Sequence, residues 1–149
     1  MQVRILGSVT QSQIPVLLKR LGQASCGFPS PGLDFEEPPL SLDDLVKLRE
    51  PSTFVGRAFG TSMTGIGIFN DDWLVIDKSL EPVQGDVIVA IANGDFTVKT
   101  FRRDPNGNIQ LVAENPAHKP LTFGNAEEVD LFGVVTYCIH QFRSAHRLR

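Results

Sequence analysis

From residue 53 onward, apolar and polar positions alternate with a period of two, and the alternation breaks at short, regular intervals. The segments 53–59 (TFVGRAF), 73–78 (WLVIDK), 86–92 (DVIVAIA), 96–103 (FTVKTFRR), 109–113 (IQLVA) and 129–140 (VDLFGVVTYCIH) are predicted strands. Asn93-Gly94 between the third and fourth is a tight-hairpin signal, because both residues accept positive φ. A second turn falls at 105–108 (PNGN). Short strands with this punctuation predict a mostly β domain of twisted antiparallel strands over residues 41–149.

The pattern ahead of that domain is different. Residues 14–23 (IPVLLKRLGQ) read as a short amphipathic helix, with Pro15 in its first turn and Gly22 at its end. Residues 27–40 (GFPSPGLDFEEPPL) hold four prolines and two glycines, which exclude a helix or a central strand. Residues 1–40 are therefore expected to form an extended N-terminal arm with one candidate helix. A capped helix is expected to open the domain: Ser41 is a good N-cap, Leu42, Leu45, Val46 and Leu48 share a face, and Pro51 stops it.

Composition changes this picture little. The chain has 149 residues, 42% of them hydrophobic and 21% charged, as in a soluble globular protein. The net charge of −3 gives no general case for nucleic-acid binding, but it is unevenly spread. Residues 1–26 carry three basic residues and no acid, and the remaining 11 basic and 17 acidic residues leave −6. No apolar run reaches the roughly 18–20 residues that span a bilayer, and no secretory signal is visible. Two cysteines, Cys26 and Cys138, do not suggest a disulfide framework. A reducing cytoplasm is the expected location.

Much catalytic chemistry is missing. None of the three histidines, His118, His140 and His146, stands at metal-ligand spacing, and no phosphate loop occurs, so neither metal nor cofactor is expected. Two residues hold interest. Ser62 lies in GTSMTG, a glycine-flanked turn after a strand, where serine ordinarily bonds its own backbone. Lys99 lies in FTVKTF, within a strand, where lysine ordinarily faces solvent. Together they offer a chemistry. A serine hydroxyl needs a base to take its proton, and a lysine serves as that base only when neutral, a state that apolar surroundings favour. Alternation puts Phe101 on the Lys99 face, with Phe96 and Val98 opposite. The glycine-rich turn can aim backbone N–H groups, such as that of Met63, at a developing oxyanion.

The stretches GTSMTGIGIFNDDWLVID, GDVIVAIANGDFTVK and DLFGVV resemble the LexA/UmuD family of self-cleaving serine–lysine peptidases, and CGFPSPG at residues 26–32 is similar to its UmuD branch. The resemblance runs from about residue 20 to 140. It implies a compact LexA/UmuD-type C-terminal β domain, with Ser62 as nucleophile and Lys99 as general base. It also implies that the substrate is the chain's own Cys26–Gly27 bond, where glycine lets the backbone bend tightly into a cleft. The further implications are stimulation by a RecA filament on single-stranded DNA and a processed homodimer. That dimer would join a Y-family DNA polymerase catalytic subunit in the SOS response to DNA damage. One departure is Asn70-Asp71-Asp72, where the family often has a glycine before the aspartate; Asn and Asp tolerate the left-handed backbone.

Three other readings compete with this one. A LexA-type repressor needs two packed helices ahead of the domain, and the proline-broken start offers one, so sequence-specific DNA binding is not expected. A type I signal peptidase needs a membrane anchor, which the chain does not display. The rival of another class is a non-catalytic dimeric accessory module that holds a polymerase.

Overall fold

The computed structural model describes residues 1–8, 17–20, 37–92, 94–119, 121–123 and 129–142. The six strands expected from the alternation are present as β4 (Thr53–Phe59), β5 (Trp73–Asp77), β6 (Val87–Ala92), β7 (Asp95–Arg103), β8 (Ile109–Val112) and β10 (Asp130–Ile139). Four further strands accompany them: β1 (Gln2–Ser8), β2 (Leu17–Arg20), β3 (Glu37–Ser41) and β9 (Leu121–Phe123). The main sheet has eight strands in the order β1-β4-β5-β10-β6-β7-β8-β9, and its pairings are antiparallel. A pairing of Gln2 with Thr97 joins β1 back to β7 and closes a barrel, with β8 and β9 extending beyond it.

The apolar run of β6 is buried on both faces, which explains why it is nearly continuous. Val89 and Val98 face a core shared with Met1, Val3, Ala58, Met63, Leu74 and Ile76. Ile88, Ala90 and Phe101 face a second core with Ile109, Leu111 and Val134. Each fully buried aliphatic or aromatic side chain stabilises the fold by about 1.5–3 kcal/mol. Ala92 pairs with Asp95, leaving a two-residue loop in which Gly94 has φ +83°, as the Asn-Gly signal predicts.

The N-terminal region departs from expectation in three ways. Residues 17–20 are a strand paired with β3, where the sequence pattern pointed to a helix over 14–23. Leu, Lys and Arg favour a helix by themselves, but four residues are too few to hold one alone, and pairing with β3 decides their state. Residues 2–8, expected in the arm, belong to the main sheet, since β1 lies along β4 from Gln2↔Phe59 to Ser8↔Phe54. Gly56 makes room for it: a Cβ there would lie 2.7 Å from Val3 Cγ2. The domain helix is also shorter than its pattern. It covers only Leu42–Leu45 and ends where Lys47 turns left-handed at φ 53°. Ser41 has the extended backbone of an N-cap, but its hydroxyl makes no capping bond. Pro38 and Pro39 stand in β3, a strand of a separate two-stranded sheet, in keeping with the exclusion of proline from central strands.

The turn into β5 carries a polar cluster around the buried Asp72. Asp71 adopts φ 71°, so an aspartate does fill a left-handed position there. Asp72 is buried and accepts from Phe69 N (2.7 Å), from Cys138 Sγ (3.4 Å) and from His140 Nδ1. These bonds tie the turn to the end of β10. Asp72→Ala removes the acceptor of all three; Cys138 and His140 are exposed and turn to water, so the expected cost is about 1 kcal/mol. A urea unfolding midpoint equal to that of the parent chain would refute this role.

Candidate active site

The loop between β4 and β5 is built to hold Ser62 rigidly. Gly60, at φ +105°, turns the chain out of β4, and its N–H donates to Asn70 Oδ1 at 3.0 Å. Thr64–Ile66 form one 3-10 turn, closed by Gly67 in the left-handed region. Gly65 permits the closest approach in the loop. Its N–H donates to the Glu114 carbonyl at 2.7 Å, and a Cβ at Gly65 would lie only 2.3 Å from that same oxygen. Asn115 Nδ2 donates to the Thr61 carbonyl at 2.9 Å, so the segment after β8 braces the loop from outside. His118 lies 3.4 Å from Thr61 Oγ1 at this brace.

Lys99 reaches the loop from β7. It pairs across the sheet with Ile88 and shares its face with Phe101, as alternation predicts. Lys99 and Ser62 are both buried, 7% and 1% exposed. Lys99 Nζ donates to Ser62 Oγ at 3.1 Å, although 37 residues separate them in the chain. Met63, the oxyanion candidate, is fully buried beside them. Among the described residues, no acceptor takes its backbone N–H. Cys26 and Gly27 lie outside the described residues. No three His, Cys, Asp or Glu side chains converge to hold a metal ion among the described residues, and no described helix is long and apolar enough to cross a membrane.

One group at this site had no signal in the sequence. The amino nitrogen of Met1 donates to Ser62 Oγ. Burial, and then the charge and hydrogen bonding of Lys99, hold this amine down to about 5, from an ordinary value near 8. The undocked amine therefore binds more protons between about pH 5 and 8. Docking contributes fully above about pH 8 and is lost as pH falls towards 5. Amide exchange of residues 2–5 is expected to quicken relative to β5 over that window. A constant ratio would contradict the buried neutral amine.

The other titratable cluster lies apart from this dyad. Burial, then its hydrogen bond to Asp72 and the nearby carboxylate charge, push the Cys138 thiol up to about 12, so it is not a nucleophile at neutral pH. His140 serves Asp72 and has no bond to Ser62.

A family model described as Peptidase S24-like matches residues 18–136. Protein SamA of Salmonella typhimurium is 40% identical over 134 residues, covering 90% of each chain. Protein ImpA of Escherichia coli is 37% identical over 121 residues, covering 81% of each. Protein MucA of Escherichia coli is 31% identical over 133 residues, covering 89% of this chain and 88% of its own. A family match over most of the barrel, with relatives of this extent, establishes that the chain belongs to the S24-like peptidase family.

Proposed function

We propose that the chain is a self-cleaving serine peptidase in which Ser62 is the nucleophile, Lys99 the general base, and the chain's own Cys26–Gly27 bond the substrate. The observation that carries this reading is the buried 3.1 Å contact between Lys99 Nζ and Ser62 Oγ, on the rigid loop of an S24-like peptidase. In the productive state Lys99 is neutral and takes the hydroxyl proton as Ser62 Oγ attacks the carbonyl carbon of Cys26. Negative charge develops on that carbonyl oxygen, and the N–H of Met63, which has no acceptor among the described residues, is the candidate to receive it. The C–N bond then breaks, Lys99 returns the proton to the Gly27 nitrogen, and an ester between Ser62 and Cys26 remains. Water, deprotonated by the same lysine, hydrolyses the ester.

The family and the relatives support a biological setting for this chemistry. The reading assigns the chain to the SOS response, with an activated RecA filament stimulating the cut. Physically the filament acts by population shift, favouring the state in which the arm is docked and the lysine has lost its proton. The shortened chain acts as a homodimer bound to a Y-family polymerase subunit. The accessory-module reading shares these partners but not the chemistry. Amino-terminal sequencing of the products after incubation with activated filament separates the two. A new terminus reading Gly-Phe-Pro-Ser supports the peptidase, and an uncut chain supports the module.

A further inference from the structure

β1 does more than close the barrel. Its first residue enters the site. The Met1 carbonyl accepts from Val98 N at 2.8 Å and from Thr97 Oγ1 at 3.0 Å. Its Cα passes 3.6 Å from where a Cβ on Gly60 would stand. Its nitrogen meets Ser62 Oγ and is within the influence of Lys99. From there Gln2–Ser8 run away from the dyad along β4. Beyond Gln2, β1 and β7 diverge around an open groove of about 310 Å³ flanked by Arg4, Phe59 and Phe96.

The chemistry of peptide cleavage gives that nitrogen a meaning. A departing amine must stand within hydrogen-bond reach of both the attacking oxygen and the base that returns the proton. The Met1 nitrogen holds this position. We propose that the track filled by Met1–Ile5 is the binding site for the residues following the scissile bond, and that β1 occupies it as a competitor with the geometry of a cleaved product. The inference rests on the peptidase reading above. The track prescribes what it accepts. The backbone of its first residue passes Gly60 at ordinary contact distance, and an apolar residue fits two places on, where Val3 packs over Gly56. In the segment that follows Cys26, Pro29 is the apolar residue that falls two places after Gly27. Before that segment enters, β1 must leave.

The test uses the full chain and a peptide of residues 27–32, Gly-Phe-Pro-Ser-Pro-Gly, with a free or an acetylated amino terminus. The free peptide is expected to quicken amide exchange of residues 2–5 and to slow self-cleavage. The acetylated peptide should be about tenfold weaker, because an acetylated nitrogen cannot replace the buried neutral amine that donates to Ser62. Val3→Asp, which unseats β1, is expected to raise the self-cleavage rate about tenfold by freeing the track. The peptide arm stands even if that variant folds poorly. If the parent chain cuts itself but the free peptide leaves β1 exchange unmoved, the track assignment is overturned alone. If no chain cuts and the free peptide still displaces β1, the peptidase reading fails and the track stands as a site for peptide termini.

Discussion

Replacing Lys99 by alanine is expected to stop self-cleavage, and replacing Ser62 by alanine to do the same, while both variants keep the β-barrel fold. Removing a positioned general base costs about 10²–10⁴-fold in rate, and removing the nucleophile leaves no route to the ester. The two losses should not add, because the pair acts as a unit; the double variant is expected to be no slower than Ser62→Ala. Neither side chain belongs to the two apolar cores, so the far-ultraviolet circular dichroism of each variant should match that of the parent. Cleavage at an unchanged rate in Lys99→Ala would assign the base elsewhere.

The second large effect is expected at a residue with no side chain. Gly65→Ala puts a Cβ 2.3 Å from the Glu114 carbonyl oxygen, closer than any real contact, and that oxygen is backbone. The 3-10 turn behind Ser62 must shift, breaking its 2.7 Å bond to Glu114. Overpacking of this kind costs about 1–3 kcal/mol. A displacement of the nucleophile by about 1 Å costs about 100-fold in rate. The expected signature is a moderate drop in the unfolding midpoint with a much larger drop in cleavage. Equal rates in Gly65→Ala and the parent would show that the brace does not position Ser62.

The parts of this molecule that sequence reveals are those whose physics is local. The strands from β4 to β8 and β10 were legible because alternation, β-branched residues and Asn-Gly punctuation act over a few residues. The turn at Asp71 was legible because so few residue types tolerate its backbone. Ser62 and Lys99 stood out as residue types in unusual places, but only the closed sheet brings them within 3.1 Å. What stayed hidden depends on distant partners. Leu17–Arg20 carry a helical pattern that pairing with β3 overrides. The helix at Leu42 stops after one turn, leaving Leu42 and Leu45 exposed while Val46 is buried, although a helical face had joined all three. Glu114 and Asn115 brace the Ser62 loop with a carbonyl and an amide that no motif marks. Only Gly65, one of three glycines in GTSMTGIG, hinted that something comes close. Met1 reaches Ser62 through the closure of β1 onto β7, a topological fact that periodicity does not encode.

Whether Lys99 takes the proton of Ser62 is decided by intact-mass measurement over time. The parent chain and Lys99→Ala are held side by side at about pH 10, where a lysine side chain in water loses its proton. The account predicts that the parent converts to two fragments whose masses place the cut between Cys26 and Gly27, while Lys99→Ala stays whole. A parent chain that remains intact at pH 10 and also with activated RecA filament, or a Lys99→Ala chain cut as fast as the parent, would contradict it.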